Sequence, residues 1–414
     1  MNNFNNINKC KVSVKEAWMD YIPDFSNLAT ATDNRMELSI DSGSTFTRFC
    51  QFNSDELVVN EMHQINSDVL NVTNINHINS ASKSLFSNLE FIIKDMTLPE
   101  KKPTKFFDTA HFVKGDLLVG MPGSIIERSS RVSKTTSVST VYNALAAITL
   151  EILERIKTTR EQSTCYHVSL ALTMPPKDFK SKRTLETFKN LLAGHYNVFL
   201  PRLKFRVNIL IETDIHFENE PTAIVYSIAD RESEDTERSI LDKTAIIIDG
   251  GGGTTDKAVV IQGQLADAQA DTGEFGGKML LNNIAKIYVS ETGRTKPELT
   301  SIENALNNGI LIRGNSSVDI FDYISSAKET SAQEIFNDLN RICDDMRKSL
   351  DDIEELILHG GLFKDTVTAD GKSCSVAQFL AKKVHSVAPD IKISLLAQDN
   401  YVCEGAITSL WVNS

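Results

Sequence analysis

The sequence has little to offer a nucleic acid, a zinc ion or a bilayer. Its 55 acidic residues outnumber 43 basic ones, for a formal net charge of −12. That excludes a chain holding nucleic acid directly over a large surface, which takes clustered Lys and Arg; a link to DNA would run through a basic partner. The six cysteines, Cys10, Cys50, Cys165, Cys343, Cys374 and Cys403, are scattered and form no Cys-x-x-Cys pair. They read as buried or idle thiols in a reducing compartment, not as a disulfide framework or a zinc site. The histidines show no metal-ligand spacing. No segment approaches the roughly 20 apolar residues that span a bilayer. The amino terminus, MNNFNNINKCKVSVKEAW, has no uninterrupted apolar core and so is not a secretory signal; the expected location is cytoplasmic, with no membrane partner. Two common phosphate-binding loops are also missing. The stretch Gly273-Glu-Phe-Gly-Gly-Lys278-Met279 has the wrong spacing for a Walker loop and no Ser or Thr after its lysine. No G-x-G-x-x-G follows the first strand of a βαβ unit, so a dinucleotide site has little support.

What is present is an ordinary globular composition, 41% apolar and 24% charged over 414 residues. That length suits two domains, or one domain duplicated around a cleft. Residues 1–36 are polar and asparagine-rich, with Trp18, Ile22 and Phe25 isolated among them, and read as an extension. A strand at Glu37–Ile40 runs into the turn DSGST and returns as TRFCQF, a hairpin. Residues 53–82 read as loops or edge elements, and HFVKGDLLVG as a strand pair around Gly115-Asp116. From Ser137 to Thr158, Val138, Val141, Leu145, Ile148 and Ile152 recur at helical spacing and predict an amphipathic helix. Then strands and helices alternate: strand Tyr166–Thr173, helix Arg183–Leu192, strand Val207–Glu212, helix Thr222–Ala229. This predicts a mixed or parallel sheet covered by helices. The charged run 231–238 is an exposed connection. A second unit opens with strand Thr244–Ile248, returns through Lys257–Gln262, continues as a helix from Gly277 to about Ser290, and reaches strand Leu356–His359 before another Gly-Gly. Without any close repeat, strand, aspartate, glycine turn and strand occur twice, at Asp41 and at Asp249.

The strongest local signal is Asp249-Gly-Gly-Gly-Gly-Thr-Thr-Asp256. A glycine turn lets backbone N–H groups approach phosphate oxygens with no Cβ in the way. A carboxylate just before it can hold Mg²⁺, directly or through water, and Thr254 and Thr255 add hydroxyls. A plain hairpin turn is the alternative, and four consecutive glycines between aspartates are unusual for one. The first hairpin, Asp41-Ser-Gly43-Ser44-Thr45-Phe-Thr-Arg48, offers backbone and hydroxyl donors, a carboxylate for Mg²⁺ and a cation for phosphate charge. Taken singly it is an ordinary β-turn; paired with the second, it is not.

In this order and separation the two turns resemble the phosphate 1 and phosphate 2 loops of the actin, sugar-kinase and heat-shock-chaperone superfamily. Asp249-x-Gly251-Gly252-Gly253-Thr254-x-Asp256 is similar to the chaperone version of phosphate 2, and Asp41-x-Gly43-Ser44-x-x-x-Arg48 to the actin version of phosphate 1, with arginine where actins often carry lysine. Asn219-Glu220-Pro221-Thr222-Ala223 resembles the connect 1 helix start, Leu356-Ile-Leu-His-Gly360-Gly361 the adenosine motif, and Glu404-Gly405-Ala406 connect 2. Gly276-Gly277-Lys278 resembles the turn that approaches the ribose. Arg341, Arg347 and Lys348 stand where chaperones place adenine-contacting bases, although such residues are more often solvated helix faces. His359, before the Gly-Gly, reads as structural. Five motifs in order, across residues 37–414, make the resemblance specific.

The resemblance implies an α/β actin-like fold, two ribonuclease-H-like lobes around a nucleotide cleft. Lobe I would take residues 37–235, completed by a C-terminal helix at 394–414, and lobe II residues 236–393. It implies an ATPase using ATP and Mg²⁺, with Asp41 and Asp249 holding the metal through water and Glu220 orienting the attacking water. The competing view of Glu220 is a helix-start carboxylate favoured by the macrodipole, with Pro221 in the first turn. The chain ends shortly after connect 2, which argues against a full chaperone, and the motifs expose no sugar pocket. The segment IDSGST, the stretch HFVKGDLLVGMPG, Ala171–Pro175 and Ile302–Gly309 are similar to the plasmid-segregation actins of the ParM and StbA type. That likeness implies head-to-tail self-association into ATP-dependent filaments and a basic DNA-binding adaptor. The alternative is a monomeric ATP switch, such as a reactivating factor or cell-division actin.

Overall fold

Runs of β-branched and apolar residues that end in an aspartate set up both halves of the molecule. The structure is a computed structural model, which describes residues 14–16, 28–31, 34–42, 46–53, 58–59, 62–66, 69–71, 88–95, 109–115, 126–127, 135, 138–232, 238–261, 264–266, 270–396 and 401–413. The chain forms two compact units, Met1–Arg231 with Asn400–Ser414, and Glu232–Asp399.

In the first unit, β1 (Arg35–Ser42), β2 (Phe46–Asn53), β3 (Asn88–Asp95), β4 (Thr109–Gly115), β5 (Tyr166–Met174), β6 (Gly194–Leu200) and β7 (Phe205–Ile211) share one sheet. Their order is β2-β1-β5-β7-β6-β3-β4. Strand β1 pairs antiparallel with β2, Asp41 opposite Arg48, and parallel with β5, Ile40 beside Leu172. A further short strand, β8 (His216–Asn219), runs parallel to the end of β5. The asparagine-rich stretch supplies short strands at Val58–Val59, Met62–Asn66 and Val69–Asn71, and Val14–Glu16 of the extension joins this sheet beside Met62–Gln64. Through this strand the extension docks on the body of the first unit, as an extension and not as a domain of its own. The strand pair expected around Gly115-Asp116 is described only as far as Gly115; its second half lies outside the described residues, as do 233–237 of the charged connection.

Helix α1 (Val138–Thr159) is present, but it is not half exposed. Val141, Leu145, Ile148 and Ile152 are buried, and so are Ser139, Asn143, Ala147, Thr149 and Glu151. The small and short polar residues between the apolar ones let it sit inside the core; Thr149 Oγ1 donates back to the Leu145 carbonyl at 2.7 Å. Helices α2 (Lys182–Leu192) and α3 (Glu220–Arg231) follow.

The unit closes with the C-terminal helix Tyr401–Asn413, packed on α3. It starts later than the expected residue 394, because Ser394 and Leu395 are strand residues paired with Ile357 and Leu358 of the second unit. Two contacts fix it: the Arg231 guanidinium lies 4.0 Å above the Tyr401 ring, and Ser409 Oγ donates to Glu218 while sitting 3.0 Å from His216 Nε2. Ser, His and Glu here form no nucleophilic triad, since the serine is fully buried and gives its proton to the carboxylate.

The second unit opens with β9 (Ala245–Gly250) and β10 (Thr255–Ile261), an antiparallel pair. Strand β11 (Asp271–Gly273) adds to β10, and helices α4 (Gly277–Thr292) and α5 (Phe321–Asp345) follow. Strand β12 (Glu355–His359) pairs parallel with β9, α6 is Val376–His385, and β13 (Lys392–Leu395) closes the edge. Ile246, Ile248, Val259, Leu280, Ile284, Ile324, Leu339 and Leu358 form its core. A lysine is buried there: Lys328 Nζ donates to the carbonyls of Lys364 and Cys374, both at 3.0 Å, and to Thr366 Oγ1 at 2.7 Å. Desolvation lowers its pKa, and the three acceptors keep the ammonium tolerable. The thiols are quiet, as their scatter implied: Cys50, Cys165, Cys343 and Cys374 are free, and burial, reinforced by Asp344 and Asp352, pushes Cys343 up to about 11.

Gly405 fixes how closely the C-terminal helix approaches α3. A Cβ at this position would penetrate the Ala223 carbonyl, a backbone group that cannot swing away. Gly405→Ala is expected to cost about 2–3 kcal/mol or more by forcing the helices apart, read as a lowered midpoint in urea unfolding. A stability equal to the parent would show that the packing has room the geometry denies.

Candidate functional site

The four-glycine turn is held by the helix that follows it. The Gly251 N–H donates to the Thr254 carbonyl at 2.9 Å and closes the turn. The N–H groups of Gly277 and Lys278, at the start of α4, donate to the carbonyls of Gly251 at 3.0 Å and Gly252 at 2.7 Å. Helix-start N–H groups otherwise lack a partner; here the turn supplies one. Gly276 is forced by the same contact, since its Cβ would overlap Gly253 and Thr254. On the other side the turn is open. Gly252 and Gly253 are exposed, their N–H groups donate to nothing among the described residues, and a Cβ on Gly253 would meet nothing within 4 Å. Fixed, outward-facing backbone donors of this kind suit an anion with several oxygens.

Asp249 stands at the base of the turn, 8% exposed. Its Oδ1 lies 2.8 Å from His359 Nδ1, and its Oδ2 makes no hydrogen bond among the described residues. Gly360 has φ +98, and a Cβ there would lie 2.5 Å from the Gly250 carbonyl oxygen and 2.7 Å from Asp249 Oδ1. Its glycine serves the neighbouring strand end, whereas Gly361 has open space where a Cβ would be. Asp256 is buried, with Oδ2 accepting from Thr254 Oγ1 at 2.8 Å, so it braces the turn from behind. Thr255 is also buried: its hydroxyl faces Gly273 and has no partner among the described residues, turned away from the open side. Next to it, the fully buried Lys257 pairs with Asp338 of α5, and Arg341 joins Asp338 at 3.2 Å to Asp271 at 2.9 Å. That engagement leaves the adenine contact considered for Arg341 without support. Lys278 is exposed on the first turn of α4.

In the first unit, Asp41 ends β1. Its Oδ1 accepts from Thr173 Oγ1 at 3.0 Å, and its Oδ2 lies 3.4 Å from Arg48 Nη1. Arg48, expected as a cation for phosphate, is therefore already partnered by a carboxylate. Gly43, Ser44 and Thr45 lie outside the described residues. Glu220 is the first residue of α3, 7% exposed, with Pro221 next, where the helix dipole favours a carboxylate. The buried Asn219 before it has an Oδ1 with no partner among the described residues. Three groups at these turns are not among the expected site residues: Thr173, which no motif includes, and Asn219 and His359, which stand inside motifs without a role of their own. Two of them depend on which strand lies alongside, which no local motif records.

Among the described residues no three His, Cys, Asp or Glu side chains gather around a metal-sized point, and no helix is long and apolar enough to cross a membrane.

Residues 247–368 match the family model described as archaeal actin homologue MreB-like, C-terminal. No curated protein matches the sequence. Among solved structures, a 15-stranded ParM filament from Clostridium botulinum aligns at 15% identity and TM-score 0.65, over 92% of this chain and 100% of that one. An archaeal actin homologue, Ta0583, aligns at 12% identity and TM-score 0.62, with 92% and 100% covered. Bacillus thuringiensis ParM with ATP aligns at 12% identity and TM-score 0.55, with 92% and 99% covered. The protein has the actin-like fold. Within that fold it resembles ParM and the archaeal actin homologues.

If the contact at Gly276 holds the turn, Gly276→Ala is expected to loosen it. The amides of Gly277 and Lys278, now donating to turn carbonyls, should exchange with solvent at least about tenfold faster, the loss of roughly 1.4 kcal/mol of protection. Unchanged exchange in a folded variant would remove α4 as the support.

Proposed function

We propose that the protein is an actin-like ATPase that assembles into nucleotide-dependent filaments. The observation that carries the reading is the turn 251–254, with the outward N–H groups of Gly252 and Gly253 beside an Asp249 carboxylate that has one oxygen unengaged. This donor set fits a Mg²⁺-nucleotide: backbone donors for phosphate oxygens and an oxygen ligand for a hard cation, directly or through water. Bound Mg²⁺ would neutralise phosphate charge during transfer. The chain's own groups do the rest. Gly252, Gly253 and Thr254 would hold phosphate oxygens, Asp249 would hold the metal directly or through water, and Glu220, buried at the start of α3, would accept the proton of the attacking water or orient it. Gly277, Lys278, Gly360 and Gly361 are the proposed nucleoside-side residues, and Gly361 alone among the two adenosine-motif glycines leaves open space. Asp41, Gly43, Ser44, Thr45 and Arg48 form the proposed second phosphate turn.

Filament formation is supported by the likeness to ParM, including a ParM filament, and rests on head-to-tail contacts between identical chains, which generate helices when the rotation does not close. Plasmid segregation, through a basic adaptor that would bring DNA to an acidic filament, is the biological role we assign.

Purified protein mixed with Mg-ATP should raise right-angle light scattering and pellet, and scattering should decay as phosphate appears. Glu220→Ala is expected to polymerise but to release phosphate about a hundredfold more slowly, and Asp249→Ala to need far more Mg²⁺. Phosphate release without scattering at any concentration would sink the filament and leave a monomeric ATP switch.

A further inference from the structure

We infer that His359 is a positioning residue for Asp249: it seats one carboxylate oxygen so that the other is presented to the metal of the bound nucleotide. This rests on the nucleotide reading above and concerns how that site is built.

The inference begins in the sheet. Strands β9 and β12 run parallel with Asp249 directly beside His359, and neighbours in register project from the same face. His359 is 2% exposed, and its Nδ1 reaches Asp249 Oδ1 at 2.8 Å. An ionised carboxylate only accepts, so the ring presents Nδ1–H to it. A charge-assisted bond of this length outweighs a neutral one about twofold. The next residue is shaped to the same oxygen. Gly360 lacks the Cβ that would lie 2.7 Å from Asp249 Oδ1, and its φ of +98 is one that L side chains rarely adopt. One residue donates to Oδ1 and its neighbour makes room for it, while Oδ2 is left without a hydrogen bond among the described residues. Freed from His359, the carboxylate would rotate about its last torsion, which is broad, and a metal would have to order it on binding.

The other unit repeats the device. Strand β5 runs parallel beside β1, and Thr173, one residue past the paired Leu172, donates to Asp41 Oδ1 at 3.0 Å. The difference lies at the second oxygen: Asp41 Oδ2 has Arg48 at 3.4 Å. Of the two hairpin aspartates, Asp249 is the one with an oxygen to offer a cation.

The test compares His359→Leu with His359→Asn, whose amide nitrogen falls near the place of Nδ1. Binding of a fluorescent ATP analogue is titrated with Mg²⁺, and folding is checked by thermal unfolding. His359→Leu should raise the half-saturating Mg²⁺ about tenfold or more, the usual loss when a partner of a metal-holding group is removed. Its nucleotide affinity in EDTA should stay within about twofold of the parent, and His359→Asn should recover Mg²⁺ affinity to within about threefold. Should the leucine variant fail to fold, His359→Gln, whose amide sits one methylene further out, takes its place with the same tenfold expectation. An unchanged Mg²⁺ midpoint in either variant, or an asparagine variant as impaired as leucine, overturns the role of His359 while nucleotide binding stands. A parent protein that binds no nucleotide at any Mg²⁺ concentration overturns both readings together.

Discussion

The parallel pairing of β9 with β12, from Ala245 beside Glu355 to Asp249 beside His359, is the constraint on which the rest of the second unit's chemistry depends. It brings a donor to Asp249 and sets Gly360 against the Gly250 carbonyl. It also fixes the strand end from which the glycine turn departs. A slip of one residue would move every side chain to the other face of the sheet, taking the imidazole from the carboxylate. The first unit obeys the same constraint with different residues. There a threonine, not a histidine, reaches the aspartate, again from the strand running parallel on the far side of the hairpin. A carboxylate at the inner end of a buried strand needs such a partner, because an unpaired buried charge is costly.

Buried cations give the turn a stiff surround. Lys257 lies two residues past Thr255 in a fully buried stretch of its strand, and its ammonium meets Asp338 on α5. Arg341, one turn along that helix, bridges Asp338 to Asp271 on β11. The chain of charges therefore ties both strands of the turn's sheet edge to one helix. Lys328, one face earlier on α5, binds two carbonyls and a hydroxyl and ties the same helix to the short hairpin of Thr366–Val367 and Ser373–Cys374. Removing one partner from such a set leaves a buried charge or several unmet acceptors, which costs more than the pair itself stabilises. These contacts tie α5 to the sheet, and α4 sets its first N–H groups against the turn that the same sheet carries.

Much of this was legible from residues alone, and the part that was not has a common cause. The two hairpins announced themselves because an apolar run, an aspartate and a glycine turn are local signals. Helix α1 was legible in its extent but not its burial: Ser139, Asn143 and Glu151 look like a polar face, and they are inside. Strands β6 and β8 went unread because His195, Asn197 and His216 mask the alternation of Tyr196, Val198 and Leu200. The extension reads as one that docks on the body without forming a domain, but the strand Val14–Glu16 by which it pairs in the main sheet has no alternation to announce it. At the site, the turn's residues were visible, but not the direction each one faces. Thr254 and Thr255 are equivalent in sequence; one hydroxyl braces Asp256 and the other is shut against Gly273. His359 reads as structural because the adenosine motif around it gives the histidine itself no role. Its partner is 110 positions away, and only strand order brings it near.

The two aspartates show how one motif divides into two tasks. Each is the last residue but one of a buried strand, each stands one or two positions before a glycine, and each has a hydrogen-bond partner for Oδ1 on the neighbouring parallel strand. Sequence assigns them the same work. Counting partners separates them, because Asp41 also faces Arg48, whereas the second oxygen of Asp249 makes no hydrogen bond among the described residues. A carboxylate already paired with a guanidinium has less charge to give a cation, and the guanidinium has less to give a phosphate. At the first hairpin the two groups are partly occupied with each other. Among the described residues the second hairpin keeps one carboxylate oxygen and two backbone N–H groups without a hydrogen bond at one end of β9, and on the nucleotide reading proposed above these are the ligands that a divalent cation and its phosphates would use.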